Sequence, residues 1–553
     1  MTALWTTKAI EAATRGAGTG RLPQAVAGIS IDSRTIAPGE AYFAIKGDVH
    51  DGHDFVAAAL AAGAGLAVVA KDRCEDRVAG RSAAFGDDAP LVIVDDVLAA
   101  LRDLAAAARA RSAARIVAVT GSVGKTSTKE ALALALGADG ETHASAASFN
   151  NHWGVPLSLA RLAPSARYGV FEIGMNHPGE ITPLARLVRP HVAVITTVEP
   201  VHLEFFASVA AIADAKAEIF LGLEPGGAAL LNRDNPHFRR LEQRAAEAGA
   251  HRILSFGENA GADARLLRCA LLPAGSTVEA SILGVPVAYK VGAPGKHLVM
   301  NSLAVLAAAS LCGADLARAA LALARQAPAA GRGTRVTLEL PDGPALVIDE
   351  SYNANPTSMR AALALLGQAQ LGQSGRRIAV LGDMLELGPT GADLHRGLVD
   401  AIRDNAVDLV YCAGPLMAAL WQALPSARRG GYASTAAELE PLAPELLAAA
   451  RREVQETLVE PQILDYLLDV VRKTREWPTL SLGASPRAAT ALLIVAKAYA
   501  RHDGRNFVLP DDVKTAAFPC LRHRLQLRPE AELEGYTTDR ALADILAATA
   551  VPQ

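Results

Sequence analysis

Cysteine is scarce in this chain, with five residues (Cys74, Cys269, Cys312, Cys412 and Cys520) scattered over 553 positions. No two have a zinc-type spacing and no dense disulfide framework is spelled out, which fits a reducing cytoplasm. An excess of one charge is missing too: 54 Lys and Arg against 58 Asp and Glu leave a formal net charge of -4. Such a balance offers no broad basic face for nucleic acid, and the expected ligand is small. Long apolar runs are also lacking. The most apolar one, "FVAAALAAGAGLAVVA" from Phe55 to Ala70, is short for a membrane span and broken by glycines, so it predicts a helix, a glycine turn and a buried strand. The N-terminal "MTALWTTKAIEAATRG" has no basic start followed by a long apolar core, so no secretory signal is expected. Internal repeats are absent, and so is any low-complexity tail beyond alanine richness.

Apolar residues, by contrast, are plentiful. With 51% hydrophobic and 20% charged residues, the chain can bury several cores, and three or four domains are expected. Apolar strands alternate with helical stretches, which predicts α/β domains with largely parallel sheets. "RIVAVTG", "YGVFEIG", "VAVITTV" and "GAALLN" are four such strands in one central segment. The Pro- and Gly-bearing "APAAGRG", from Ala327 to Gly333, marks a domain junction. Beyond it "ALVIDES", "RIAVLGD" and "DLVYCAG" predict strands of a separate unit, and after about Ser434 amphipathic helices take over with almost no strand signal.

Chemistry concentrates in "VAVTGSVGKTSTKEAL", which reads as a strand, a glycine turn and a helix. Backbone N–H groups of such a turn, with the helix N-terminus, make a site for phosphate oxygens. Lys125 would add charge beside the β- and γ-phosphates, and Thr126 a hydroxyl for Mg²⁺. The motif is the short G-x-x-G-K-T from Gly121 to Thr126, because Val119 stands where the longer phosphate loop has its first glycine. The bland alternative is a tight turn with an exposed lysine. Downstream, Glu172 ends an apolar strand and His202 follows another, where residues of an open α/β sheet face the ligand crevice. Both suit a hard cation or its waters. Taken singly, the glutamate reads equally as a solvated strand end, the histidine as an ordinary loop residue, and Lys216 as the solvated face of a helix.

In order and spacing, "TGSVGKTSTKE", "FNNHWGVPLSLARL", "FEIGMNHPGEI", "HLEFFASVAAIADAKAEIF", "GKHLVMNSLA", "IDESYNANPTSMRAAL" and "LGDMLELG" resemble the Mur ligase family. The earlier "DSRTIAPGEAYFAIKGDVHDGHDFVAAAL" is similar to that family's uridine-nucleotide domain, so the likeness spans residues 1 to about 440. "SYNANP" and "GMNHPGEI" resemble the branch that adds D-alanyl-D-alanine to UDP-N-acetylmuramoyl-tripeptide, rather than a folylpolyglutamate synthase. The resemblance implies a three-domain α/β architecture: a UDP-substrate domain at 1–110, a central ATP-binding P-loop domain at 111–326 and a third, Rossmann-like domain at 327–440.

It also implies ATP-dependent amide formation. The γ-phosphoryl group of ATP passes to a carboxylate, giving an acyl phosphate that an amine attacks. Such transfer needs positioning and charge neutralisation more than covalent help. By the same resemblance Gly121, Ser122, Val123, Gly124, Lys125, Thr126 and Ser127 hold the nucleotide phosphates. Thr126, Glu172, His202 and Lys216 serve Mg²⁺, and Arg332 reaches the γ-phosphate. Lys216 is the family's carbamylated lysine; carbamylation turns a cation that repels Mg²⁺ into a carboxylate-like ligand. Lys125, Lys216, Arg332 and His202 are the implied catalytic set. Asn301, Asn353 and Asn355 match positions near the nucleotide, either Asp349 or Glu350 would bind ribose hydroxyls, and Tyr352 either stacks on a base or packs. Ser33, Arg34, Lys46, Asp51 and His53 match the uridine-diphosphate end, with Asp51 equally readable as a helix N-cap. Asn150 and Asn151 would shape the acyl-acceptor crevice.

The ending departs from this family. After "GYASTAAELEPL" a helix, a strand and a glycine turn would complete the third domain, and none follows, so that domain reads as incomplete. Residues 441–553 are instead expected to be an all-helical bundle, and "DYLLDVVRKTREWPTLSLGASPRAATALLIVAKAYARHDGRNFVLPDDVKTAAFPCLRHRL" resembles the helical lid of MoxR-type AAA+ ATPases. Within "GASPRA" Ser485 is the expected N-cap, Pro486 the first helical residue, and Ala488, Ala491, Leu492, Val495 and Ala498 a buried stripe. Arg487 matches the lid's nucleotide-sensing arginine, but no AAA+ core accompanies it, so it should be exposed or paired locally. Two functions follow: an active ligase with the lid as an appendage, or a catalytically impaired nucleotide-binding fusion whose tail docks an unidentified protein.

Overall fold

The computed structural model describes residues 3–47, 50–75, 88–146, 149–201, 203–328, 331–340, 343–372, 375–439, 453–503, 505–528, 531 and 536–552. They group into two units, one of Met1–Ala329, Tyr352–Leu409 and Leu416–Arg428, the other of Ala330–Ser351, Val410–Pro415 and Arg429–Gln553.

The first unit begins with a five-stranded sheet in the order Ala17–Thr19, Leu91–Val94, Leu66–Ala70, Ala41–Phe43, Ile29–Ser30. Only its first pair is antiparallel. Helix Val56–Ala61, a turn at Gly63 with φ +102° and the buried strand Leu66–Ala70 account for the apolar run as expected.

A nine-stranded sheet follows. At its centre lie β1 (Arg115–Thr120), β2 (Tyr168–Glu172), β3 (Val192–Ile195) and β4 (Ala228–Asn232), all parallel, and each answers to a strand read from sequence. Both faces are covered, which is why these strands are apolar throughout rather than alternating. Ile116, Ala118, Phe171 and Ile195 pack under helices Val97–Arg111, Gly154–Ala160 and Ile181–Val188. Val117, Val119, Val170 and Val194 pack under α1 (Lys125–Gly137) and, later in the chain, helix Lys296–Leu311. Between these comes α2 (Val209–Ala217), capped by the Ser208 hydroxyl, which accepts from Ala211 N at 3.2 Å. Helix Lys296–Leu311, labelled α3, buries Leu298, Val299 and every residue from Ser302 to Ala309, as an all-apolar helix must.

The expectation of largely parallel sheets misses one edge. Ala264–Leu272, Gly275–Ile282 and Val285–Val291 add two antiparallel hairpin pairings to the nine-stranded sheet. Their side chains alternate in burial, as in Gly275–Ile282, so they lack the continuous apolar signature of the central strands. The first unit also holds α4 (Pro356–Gln368), opened by a reciprocal capping box between Asn355 and Ser358 with Pro356 at its first position.

In the second unit Thr334–Leu340 and Gly343–Asp349 form an antiparallel hairpin, and Val410–Ala413 pairs in parallel with the strand Arg429–Ala433. Among the described residues no strand after Ala433 joins that pair. The remainder is helical: α5 (Pro461–Glu476), α6 (Pro486–His502), α7 (Pro510–Leu521) and α8 (Thr538–Ala548) enclose one core. The bundle is not wholly helical, however. Leu480–Leu482 pairs antiparallel with Gln526–Leu527, and buried Leu480 and Leu527 close one end of the core. Ser485 and Pro486 start α6 as expected. The stripe is corrected: Ala488, Leu492, Ala496 and Ala500 are buried, Ala491 and Val495 only flank them, and Ala498 is exposed. At 3.6 residues per turn, position 498 lies about 200° around the helix from Ala496. Arg487 is exposed.

Candidate functional site

β1 delivers the chain into a turn whose glycines are required by shape. Gly121 has φ +153° and Gly124 φ +82°. A Cβ on Gly121 would lie 1.9 Å from Thr196 Oγ1, and one on Gly124 2.7 Å from Asn301 Nδ2. Asn301, on α3, is therefore against the loop. Gly124 is the N-cap of α1, so Lys125 and Thr126 open the helix where free N–H groups and the macrodipole favour an anion. Lys125 Nζ folds over the turn, donating to Gly121 O at 2.8 Å. Ser127 Oγ donates to Gly124 O at 3.1 Å, and Thr126 is buried. The residues after β3 brace the turn: Thr196 Oγ1 donates to Val123 O at 2.6 Å and Ser122 N to Thr197 O at 2.9 Å.

At the end of β2, Glu172 is 1% exposed. Its Oε1 accepts from Asn150 Nδ2 at 2.8 Å, while Oε2 is buried with no hydrogen-bond partner. A buried carboxylate oxygen without a donor is costly unless a cation or ligand answers it. Lys216, at the end of α2, is 2% exposed. Burial pushes its amine well below the usual lysine range, and the charge of Lys125 pushes it further the same way. Lys125 of the phosphate loop is thus close enough for its charge to act on the Lys216 amine, and Glu172 ends a strand paired with β1, which feeds the same loop; the donor set would fit a hard cation were Lys216 a carbamate. His202 lies outside the described residues.

Family models match the chain in three consecutive stretches: Mur ligase family, catalytic domain, at residues 25–109; Mur ligase middle domain at 119–309; and Mur ligase, glutamate ligase domain, at 331–459. The UDP-N-acetylmuramoyl-tripeptide--D-alanyl-D-alanine ligase of Rickettsia prowazekii is 32% identical over 398 residues, covering 72% of this chain and 85% of that protein. The chain belongs to the Mur ligase family. The enzyme of the same name from Escherichia coli is 35% identical over 389 residues, 70% of this chain and 81% of its own. A crystal structure of MurF from Acinetobacter baumannii superposes with a TM-score of 0.68 at 31% identity, covering 80% of this chain and 92% of that one. MurF from Thermotoga maritima, solved in complex with ADP, shares the fold at a TM-score of 0.60 and 24% identity, over 78% of this chain and 91% of its own. A further model, AAA lid domain, matches residues 472–545. This Mur ligase is accordingly an ATP-dependent ligase with an AAA lid-type helical ending.

The remaining residues singled out in this Mur ligase fall in two places. In the N-terminal sheet, Arg34 is exposed and paired with Asp32, whose carboxyl it holds below the usual range. Ser33 is half-buried and Lys46 exposed. Asp51 is an N-cap, accepting from His53 N at 3.0 Å at the start of the short helix Gly52–Phe55. It also pairs with Arg73. His53, 7% exposed, uses both ring nitrogens internally, with Asp51 Oδ1 at 2.6 Å and Ala70 N at 2.9 Å. Asn151 lies two residues before Trp153, the N-cap of helix Gly154–Ala160, and accepts from Gly154 N at 2.9 Å.

Arg332, Asp349 and Glu350 belong to the second unit. Burial pushes the Glu350 carboxyl up to about 7, Asp349 adds to the rise and Arg332 opposes it. Asp349 Oδ1 accepts from Ser351 N at 3.0 Å. Tyr352 is 53% exposed, so it is not a core residue, and Asn353 is exposed beside it. Asn355 is buried as the cap of α4.

Sequence reasoning missed Thr196, Glu199 and Lys129. Lys129, on α1, is fully buried, and its Nζ donates to Ser145 O at 2.8 Å. "TTVEP" after β3 was the available signal, since residues beyond parallel strand ends line the crevice.

Proposed function

We propose that this chain joins D-alanyl-D-alanine to UDP-N-acetylmuramoyl-tripeptide at the cost of ATP, through an acyl phosphate, in peptidoglycan precursor synthesis. The observation behind the chemistry is the buried, unanswered Glu172 Oε2 at the end of the strand paired with β1, which feeds the phosphate loop. The choice of substrate rests on the relatives' names and their span of the chain. The loop from Gly121 to Ser127 would hold the phosphates, with Lys125 neutralising charge as the γ-phosphoryl group moves to the substrate carboxylate. Mg²⁺, when bound, would screen the phosphate and carboxylate oxygens from one another. Thr126, Glu172, His202 and carbamylated Lys216 would hold it. Arg332 would reach the γ-phosphate, with Asn301, Tyr352, Asn353 and either Asp349 or Glu350 around the nucleoside. Ser33, Arg34 and Lys46 would take the uridine-diphosphate end, and Asn150 and Asn151 would shape the acyl crevice through Glu172 and the following helix. No helix among the described residues is long and apolar enough to cross a membrane, and five cysteines scattered without a framework suit the cytoplasm.

One incubation tests the reading: ATP, Mg²⁺, the UDP-tripeptide and D-alanyl-D-alanine, with products followed by mass. ADP, phosphate and a UDP-pentapeptide should form together, and only with the dipeptide present. A second reading, an impaired nucleotide-binding protein whose tail docks a partner, is favoured by the lack of any described strand joining the third domain's pair after Ala433. ATP binding without pentapeptide would select it.

A further inference from the structure

Glu199 follows β3 and is tied to the phosphate loop through its backbone. Its N–H donates to Ser122 Oγ at 2.9 Å, and the same hydroxyl donates to Glu199 O at 3.1 Å. The side chain then points elsewhere. Oε1 accepts from Thr197 Oγ1 at 2.8 Å, which fixes the carboxylate, and Oε2 accepts from Thr357 Oγ1 at 3.0 Å. Thr357 is the second residue of α4, where a carboxylate is favoured by the helix dipole. Immediately before that helix lie Tyr352 and Asn353, two of the residues placed near the nucleoside in the reading above. A second link runs beside the first: Glu204 N donates to Glu386 O at 3.2 Å. Glu199 is thus bonded both to Ser122 in the phosphate loop and to the first turn of the helix that follows the nucleoside segment.

We propose that Glu199 is a positioning residue that couples the phosphate loop to α4, so that a nucleotide ordering the loop also orders residues 352–355. This rests on the ATP-dependent ligation proposed above. A charge-assisted hydrogen bond between groups held this firmly by their own backbones sets distance as well as strength. Whatever steadies Ser122 steadies the Glu199 main chain, and through Thr357 the start of α4.

The test is a double-mutant cycle with conservative rescue, made in the full chain. Glu199→Ala and Thr357→Val should each lower kcat/KM for ATP about tenfold, the scale of a hydrogen bond to a charged group. The double variant should be no worse than either single one, because both remove one interaction. Glu199→Gln and Thr357→Ser, which keep an acceptor and a hydroxyl, should recover most of the loss. Affinity for the UDP-substrate should not move. Hydrogen exchange gives a readout free of turnover: a non-hydrolysable ATP analogue should protect the first amides of α4 in the wild-type chain but not in Glu199→Ala. Additive losses, or equal protection in both proteins, would overturn the coupling. If the wild-type chain fails to make pentapeptide while the analogue still protects α4, the ligase reading falls and this one stands.

Discussion

Lys216 ends α2 with its amine held far below the usual lysine range by burial and by Lys125. A protonated amine there would repel Mg²⁺; a carbamate would bind it. Lys216→Ala should therefore cut turnover on the order of 10²-fold or more, the scale of losing one preorganised electrostatic group. Added acetate or formate should restore part of it, and full activity without rescue would end the idea. Glu350 gives a test by pH. Its folded carboxyl titrates at about 7 instead of the ordinary 4.5, so the folded state holds a proton that the unfolded state releases. Its contribution to stability is complete below 4.5 and is lost as pH rises through 7. Melting curves of wild type and Glu350→Gln should diverge in favour of the variant across that window and run parallel above it. At this scale residue type alone left Glu172 and Lys216 readable as a solvated strand end and a solvated helix face; the resemblance singled them out, and their burial is what the sequence did not show. At His53 and Asn151, read by resemblance as substrate-side residues, it did not show the partners Ala70 N and Gly154 N, which emerge only from packing.

The phosphate loop and its helix make one element, and the N-terminal sheet another. Lys125→Ala should weaken ATP turnover and leave UDP-substrate binding nearly unchanged, while Arg34→Ala should do the reverse; calorimetry with each ligand separates them, and equal loss of both would sink the division. Gly124→Ala forces a Cβ to within 2.7 Å of Asn301 Nδ2 at φ +82°. With about 1–2 kcal/mol of backbone strain, it should weaken ATP binding by roughly tenfold or more. The parallel strands were readable because burial on both faces leaves an unbroken apolar run. The antiparallel edge from Ala264 to Val291 was not, since half-exposed strands with alternating burial look like loops to a search for apolar runs. In α6 the helix itself was legible from Ser485 and Pro486, but its inner face turned out to be the four-residue row from Ala488 to Ala500, set by what α7 and α5 press against it.

At the scale of the whole molecule, the third domain is the open question put to experiment. Replacing residues 441–553 by a complete Mur-type ending should raise ligase turnover under saturating substrates; equal turnover would mean that the ending makes no difference to the ligase. Arg487→Ala should leave ATP hydrolysis unchanged, and any change would give the lid a nucleotide role. The central domain was readable in outline because its motifs, strands and helix caps agree with one another, whereas the likeness was expected to stop near residue 440 and the Mur-type family model runs on to residue 459. The helical ending also brings its own interior, from Ile463 through Leu492 and Val513 to Leu546. A segment with a core of its own draws stability from within itself. It can be inherited as a cassette, passed between unrelated hosts at the level of the gene and kept long before it acquires any duty in the enzyme to which it has been joined.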